Sequence, residues 1–216
     1  MRKKILAAVI ILAALSGLGL GGYYVWWNHA RRGAQLNFSV VVPGKIYRSG
    51  QPRGDDLRRL AQTYGVKTLV CLTARGHEDS ENQEVAKELG LNLLGIRMNE
   101  TVVPEPKQVE LIMKVLTGAP VSYQDYAPML GEWFRPEKAS GPLPGPFLVH
   151  CVRGKDRTGY VIALYRICYQ GWTVEAAAGE MKENYHFFIM YPVPKFLKAL
   201  REIEPASYCP QINPNY

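Results

Sequence analysis

The chain has 216 residues, 47% of them hydrophobic and 21% charged, which is enough apolar material for one well-buried domain and an appendage. Its net charge of +7 is uneven: five of the 26 lysines and arginines fall in residues 1–32 while all 19 acids come later, so the remainder is nearly neutral and gives no case for nucleic-acid binding. Four cysteines, Cys71, Cys151, Cys168 and Cys209, lack both close pairing and the spacing of a zinc site, so neither a disulfide framework nor a metal site is expected; Cys71 and Cys168 read as core residues, with a protective disulfide to Cys151 as the alternative, and no cofactor is expected.

The appendage comes first. Arg2, Lys3 and Lys4 precede an uncharged apolar stretch, 5–27, that ends in Tyr23, Tyr24, Trp26 and Trp27 and is followed by Arg31 and Arg32. Its length suits a single transmembrane helix with an aromatic belt, and a cleaved signal peptide is the alternative, because Ala14, Leu15 and Ser16 resemble a small-residue cleavage site. The expectation is therefore a single-pass membrane partner for residues 1–32. With the basic N-terminus inside, the domain over 33–204 would lie on the non-cytoplasmic side, in the periplasm if the chain is bacterial.

Within the domain, 45–48 reads as a short strand and 55–64 as a helix stopped by Gly65. The apolar run 66–72 has the look of a buried central strand, and Ser80 to Gln83 opens a helix to Leu89 with a capping-box pattern. A strand over 91–97 and an amphipathic helix over 105–116 follow. Residues 118–145 carry five prolines among aromatics and read as an irregular insertion. After it come a strand at 146–149, a helix over 160–169 closed by Gly171, a helix over 173–185 capped by Thr173, a helix over 194–203, and an extended tail, 205–216. Strands alternating with helices imply an α/β fold with a central, mainly parallel sheet flanked by helices, the site lying at the strand C-terminal ends.

The chemistry lies in His150, Cys151, Val152, Arg153, Gly154, Lys155, Asp156, Arg157, Thr158 and Gly159, which read as a strand end, a tight loop and a helix start. Unpaired N–H groups and the dipole at a helix N-terminus favour an anion, and Gly154 permits the positive φ that curls successive N–H groups inward. The same field favours the thiolate of Cys151, the nucleophilic form. Arg157 has a planar fork that can hold two phosphate oxygens at once. Thr158 is placed to hydrogen-bond the sulfur, and His150 to brace the loop from behind. Val152, Arg153, Gly154, Lys155 and Thr158 would line the bound phosphate.

This ten-residue run resembles the signature of the cysteine-dependent protein tyrosine phosphatase superfamily, nearest to its small dual-specificity branch. The Arg-Gly-Lys within it, then Arg166, then Gly171-Trp172, resemble the plant-and-fungi type of atypical dual-specificity phosphatase and its bacterial relatives, as does Tyr47-Arg48-Ser49-Gly50-Gln51-Pro52. The likeness covers roughly 38–200, with a gap at the insertion. It implies a phosphatase-type fold and metal-free hydrolysis of phosphomonoesters through a phosphocysteine on Cys151. Arg48 is either a surface charge or, as the resemblance implies, a brace for the active-site region.

Family members usually take their proton donor, an aspartate, from the loop after the strand at 91–97. Here that loop reads Met98-Asn99-Glu100-Thr101-Val102-Val103-Pro104-Glu105, without aspartate, so Glu100 is one candidate acid. Asp156 is the other, since the Asp-Arg-Thr ending resembles phosphoinositide phosphatases of the myotubularin and Sac types. Asp125 in the insertion is a third. Lys155 and Arg153 suit ligands with several phosphates, unless Asp156 neutralises Lys155. A phosphorylated protein, phosphotyrosine or dual-specificity, is the first expected substrate. Inositol phosphates, inositol pyrophosphates or phosphoinositides are the alternative, and a non-catalytic phosphate-binding module is the reading from another class.

Overall fold

The computed structural model describes residues 19, 36–73, 80–99, 101–122, 140–184, 195–213 and 215. The chain divides into two units, Met1–Gln35 and Leu36–Tyr216, and the second holds the architecture that follows.

A five-stranded sheet is built from β1 (Ser39–Val42), β2 (Ile46–Gly50), β3 (Thr68–Cys71), β4 (Asn92–Gly95) and β7 (Phe147–Cys151), in the order β1-β2-β7-β3-β4. Only β1 runs antiparallel, so the sheet is mixed although mainly parallel, as expected. β7 is central, and its neighbours β2 and β3 are both parallel to it.

Side chains alternate between the two faces with the strand period of two. Leu69, Leu148 and Tyr47 pack against Leu57 and Leu60 of α1 (Gly54–Tyr64) and Val85 of α2 (Ser80–Glu88). Ile46, Val70, Phe147, Val149 and Cys151 face the larger core. That core is closed by α3 (Pro106–Leu116), α4 (Asp156–Gln170), α5 (Val174–Glu183), α6 (Lys195–Arg201) and α7 (Pro205–Ile212). As the Thr173 signal predicts, its Oγ1 accepts the Ala176 N–H at 3.2 Å at the start of α5.

Several expectations are corrected. Among the described residues no helix is long and apolar enough to cross a membrane: the longest, α4, has 15 residues, about 22 Å against a hydrocarbon core of about 30 Å. The anchored, non-cytoplasmic placement is therefore withdrawn, and the stretch 5–27 that suggested it lies, Gly19 apart, outside the described residues.

The tail expected to be extended instead forms α7, and Cys168 and Cys209, expected to be unpaired, form a disulfide joining it to α4. The separation of 41 residues constrains the unfolded chain, an effect of about 3 to 4 kcal/mol. Tyr169 donates to the Ile212 carbonyl in the same contact, and burial pushes the Tyr169 phenol up to about 12. The insertion begins and ends in a short antiparallel pair, β5 (Val121–Ser122) with β6 (Ser140–Gly141), and its interior, 123–139, is outside the described residues.

Candidate active site

Cys151 is the last residue of the central strand and is 2% exposed. Strand register sets Gly50 beside it and both Ser49 and Cys71 beside His150. Cys71 is a buried free cysteine whose sulfur contacts Thr73 Oγ1 at 3.5 Å. Four residues then turn the chain from the sheet into α4, which starts at Asp156.

Gly154 is what makes that turn possible. Its φ is +67°, and a Cβ there would come within 2.4 Å of Gly50 N and 2.5 Å of the Ser49 carbonyl. Only glycine fits. The Gly154 carbonyl accepts Arg48 Nη2 at 2.7 Å, and the whole Arg48 side chain is buried at 1% exposure. A fully buried arginine needs polar partners. Of the two readings for Arg48, bracing the loop is thus the one realised. The Gln51 N–H also donates to the Val152 carbonyl at 3.2 Å, stitching the other side of the turn to the end of β2.

Arg157 is buried in the first turn of α4, and its Nη1 donates to the Met98 carbonyl at 3.1 Å. It therefore joins the turn over 152–155 and the start of α4 to the loop after β4, from which the family resemblance draws the proton donor. Thr158 is fully buried, and its hydroxyl makes no hydrogen bond among the described residues, including to the Cys151 sulfur. His150 is also fully buried. Val152 and Arg153 point outward, Val152 at 53% exposure, while Lys155 and Asp156 are half-buried at the helix start.

Lys155 holds its proton less tightly than an ordinary lysine. Burial is the main cause and repulsion from Arg153 the second; attraction to Asp156 acts in the opposite sense and is the smallest of the three.

Glu100 and Asp125 lie outside the described residues, but the residues flanking Glu100 are held at several points. Gln108 donates to the Arg97 carbonyl at 2.8 Å, Asn99 Oδ1 accepts the N–H and hydroxyl of Thr101 at 2.8 Å each, and Lys195 Nζ donates to the Thr101 carbonyl at 2.6 Å. Nothing in the local sequence announces Lys195 as a partner of this loop. Among the described residues, no group of three or more His, Cys, Asp or Glu is arranged to hold a metal ion.

A thiol at a strand end, a glycine without room for a side chain and a buried arginine in the first turn of a helix form the local geometry. Residues 35–208 match the family described as PTP-SAK: Swiss Army Knife protein, DSP-PTPase phosphatase domain. The chain belongs to this family. Its domain is a cysteine-dependent phosphatase domain of the dual-specificity type.

Among curated relatives, the chain is 30% identical over 138 residues to inositol diphosphatase SIW14 of Saccharomyces cerevisiae, covering 64% of this chain and 41% of the relative. It is 53% identical over 40 residues to the dual specificity protein phosphatase TpbA of Pseudomonas aeruginosa, 18% of either chain. The matches thus span less than half the length of these relatives. The solved core catalytic domain of the PP-IP phosphatase SIW14, in complex with citrate, superposes with a TM-score of 0.58 at 22% identity. That match covers 79% of this chain and 87% of the other, and it establishes the fold.

Proposed function

We propose that the chain hydrolyses phosphate esters or anhydrides through a phosphocysteine on Cys151, and that its preferred substrates carry several phosphates on a small polyol, the inositol polyphosphate and pyrophosphate class. In the first half-reaction the Cys151 thiolate attacks phosphorus, the S–P bond forms, and the P–O bond to the leaving group breaks. Glu100 or Asp156 gives the leaving oxygen its proton. In the second, water attacks phosphorus, its proton passes to the same carboxylate, and phosphate leaves with the thiolate restored. Arg157 and the loop N–H groups offset the negative charge on the equatorial oxygens throughout.

The observation that carries the substrate class is Lys155. It stands half-buried at the start of α4 with the exposed Arg153 two residues before it, so two cations share the loop beside Arg157. A singly phosphorylated side chain has one phosphate, which Arg157 engages. A second phosphate on the same ligand answers the other two cations. The resemblance to SIW14, named an inositol diphosphatase, supports the same class. The protein-directed reading is supported by the 53% identity to TpbA over 40 residues, a relative named a dual specificity protein phosphatase.

Phosphate release from an inositol pyrophosphate, an inositol hexakisphosphate and a phosphotyrosine peptide, measured beside Cys151→Ser, tests both. Roughly a tenfold preference in kcat/KM for the inositol substrates, about 1.4 kcal/mol at the transition state, is the expected result. The reverse preference would establish the protein-directed reading. Release no greater than from Cys151→Ser on every substrate would leave a phosphate-binding module.

A further inference from the structure

Two donors from different parts of the chain converge on one backbone oxygen in the phosphate loop. Arg48 is the first. The second is Asn37, whose Nδ2 donates to the Gly154 carbonyl at 3.1 Å and to the Asn184 carbonyl at 3.2 Å. Asn184 closes α5, with its backbone N–H on the Glu180 carbonyl at 3.3 Å and its side chain on the same atom at 2.8 Å. Asn37 therefore ties the loop to a fixed helix end. Next to it, the Leu36 carbonyl accepts the Gly50 N–H, and Gly50 N is the atom nearest to where a Gly154 Cβ would stand. Residues 36 and 37 thus strap the back of the loop.

The backbone at Asn37 shows that this placement is held against a cost. Its φ is +39°, and among the described residues no other non-glycine has a positive φ. Asparagine tolerates the left-handed region better than most side chains, yet the conformation still costs about 1 kcal/mol or more and persists only where its surroundings impose it. Here the two hydrogen bonds and the Leu36 contact do so.

A trans peptide is planar, with its C=O and N–H pointing in opposite directions. Holding the Gly154 carbonyl toward Arg48 and Asn37 therefore turns the Lys155 N–H away from them. A single donor leaves the peptide free to rock about one contact, and a second, from another element, removes that freedom. We propose that Asn37 is a positioning residue: by fixing the 154–155 peptide it aims the Lys155 N–H at the bound phosphoryl group. A backbone N–H aimed at an anion makes a strong, charge-assisted hydrogen bond. Because it meets the phosphoryl group and not the leaving group, its loss should weaken all substrates alike.

This rests on phosphate being bound at the loop, which binding of orthovanadate to the wild-type chain checks independently of turnover; no such binding would overturn that reading. The full chain carrying Asn37→Asp keeps size and tolerance of positive φ but sets an oxygen against two carbonyls. Asn37→Gly keeps the backbone freedom and removes the side chain. Both are expected to melt within a few degrees of wild type. Both should bind orthovanadate roughly tenfold more weakly and lose kcat/KM by the same factor on aryl and alkyl phosphates, about 1.4 kcal/mol. Vanadate affinity within twofold of wild type in both variants would overturn the proposal. So would a loss that tracks only the unfolded fraction, a loss confined to alkyl esters, or failure of both variants to fold, each of which assigns Asn37 a different role.

Discussion

Residues 150–159 and residues 97–105 are joined by the Arg157 bond to Met98, yet they are held by different means. The phosphate loop is fixed from inside: a buried Arg48, a glycine with no room for a side chain, and a strand on either side. The loop after β4 is fixed from outside, by Gln108 and Lys195, whose bonds are solvent-exposed. Buried polar side chains tied to backbone carbonyls make a rigid cradle, whereas exposed hydrogen bonds exchange readily with water and are worth little each. Binding the phosphoryl group needs the first kind of support. Delivering a proton to leaving groups of different shapes is compatible with the second.

Arg157 serves both loops, so changing it should blur the distinction most. Arg157→Lys keeps the charge but loses the fork, and with it both the bidentate grip on the phosphoryl oxygens and the geometry of the Met98 contact. A fall in kcat/KM of roughly 10²- to 10³-fold is expected on aryl phosphates, and at least as large a fall on alkyl phosphates, whose leaving oxygen also depends on the loop that Met98 belongs to. A fall of less than tenfold would mean that the backbone cradle alone carries the transition-state charge.

Lys195 acts on one loop only, and its removal should separate the two. Lys195→Met frees the Thr101 carbonyl while leaving the cradle intact. The expected effect is about tenfold on alkyl phosphates, whose leaving oxygen needs a proton, and about twofold or less on activated aryl phosphates, whose leaving group departs without one. Equal effects on the two would place Lys195 outside proton delivery and favour Asp156, which sits at the start of α4, over Glu100 as the acid.

The same contrast explains what could be read from the sequence. The loop is a local device, in which spacing within ten residues dictates who meets whom: Cys151 ends the central strand, Gly154 has positive φ, and Arg157 lies in the first turn of α4. The alternating strands and helices were likewise local, and the mainly parallel sheet followed from them. The supports of the second loop are not local. Lys195 and Thr101 are 94 residues apart and Asn37 and Gly154 are 117 apart, and nothing in the neighbourhood of either asparagine or lysine marks its partner. Cys168 and Cys209 escaped for the same reason: each sits on a helix whose packing, not its spacing, brings them together. The C-terminal segment read as extended holds two prolines that do not prevent its helix. Pro205 occupies the first turn of α7, where the absent N–H has no partner to lose, and Pro210 is carried inside a short helix anchored by the disulfide.

Lys155 gives the smallest effect and the finest test, because it belongs to the cradle but lies at its half-exposed edge. Burial and Arg153 lower its proton affinity in the folded protein, against the weaker pull of Asp156. The sign follows: the folded chain holds this proton less tightly than the unfolded chain, so a penalty to stability present at neutral pH is relieved as pH rises through the folded value. A bound polyphosphate reverses the balance by favouring the ammonium. Ligand binding should then draw in a proton on the alkaline side, and affinity should fall as pH rises through a point below the usual lysine range. Measuring the Kd of inorganic pyrophosphate against pH should show that fall in the wild type and not in Lys155→Met. At neutral pH the variant should bind pyrophosphate about three- to tenfold more weakly and single phosphate almost unchanged. An alkaline fall that survives in Lys155→Met would assign the titration to another group, and an equal loss on pyrophosphate and phosphate would remove Lys155 from the choice of substrate.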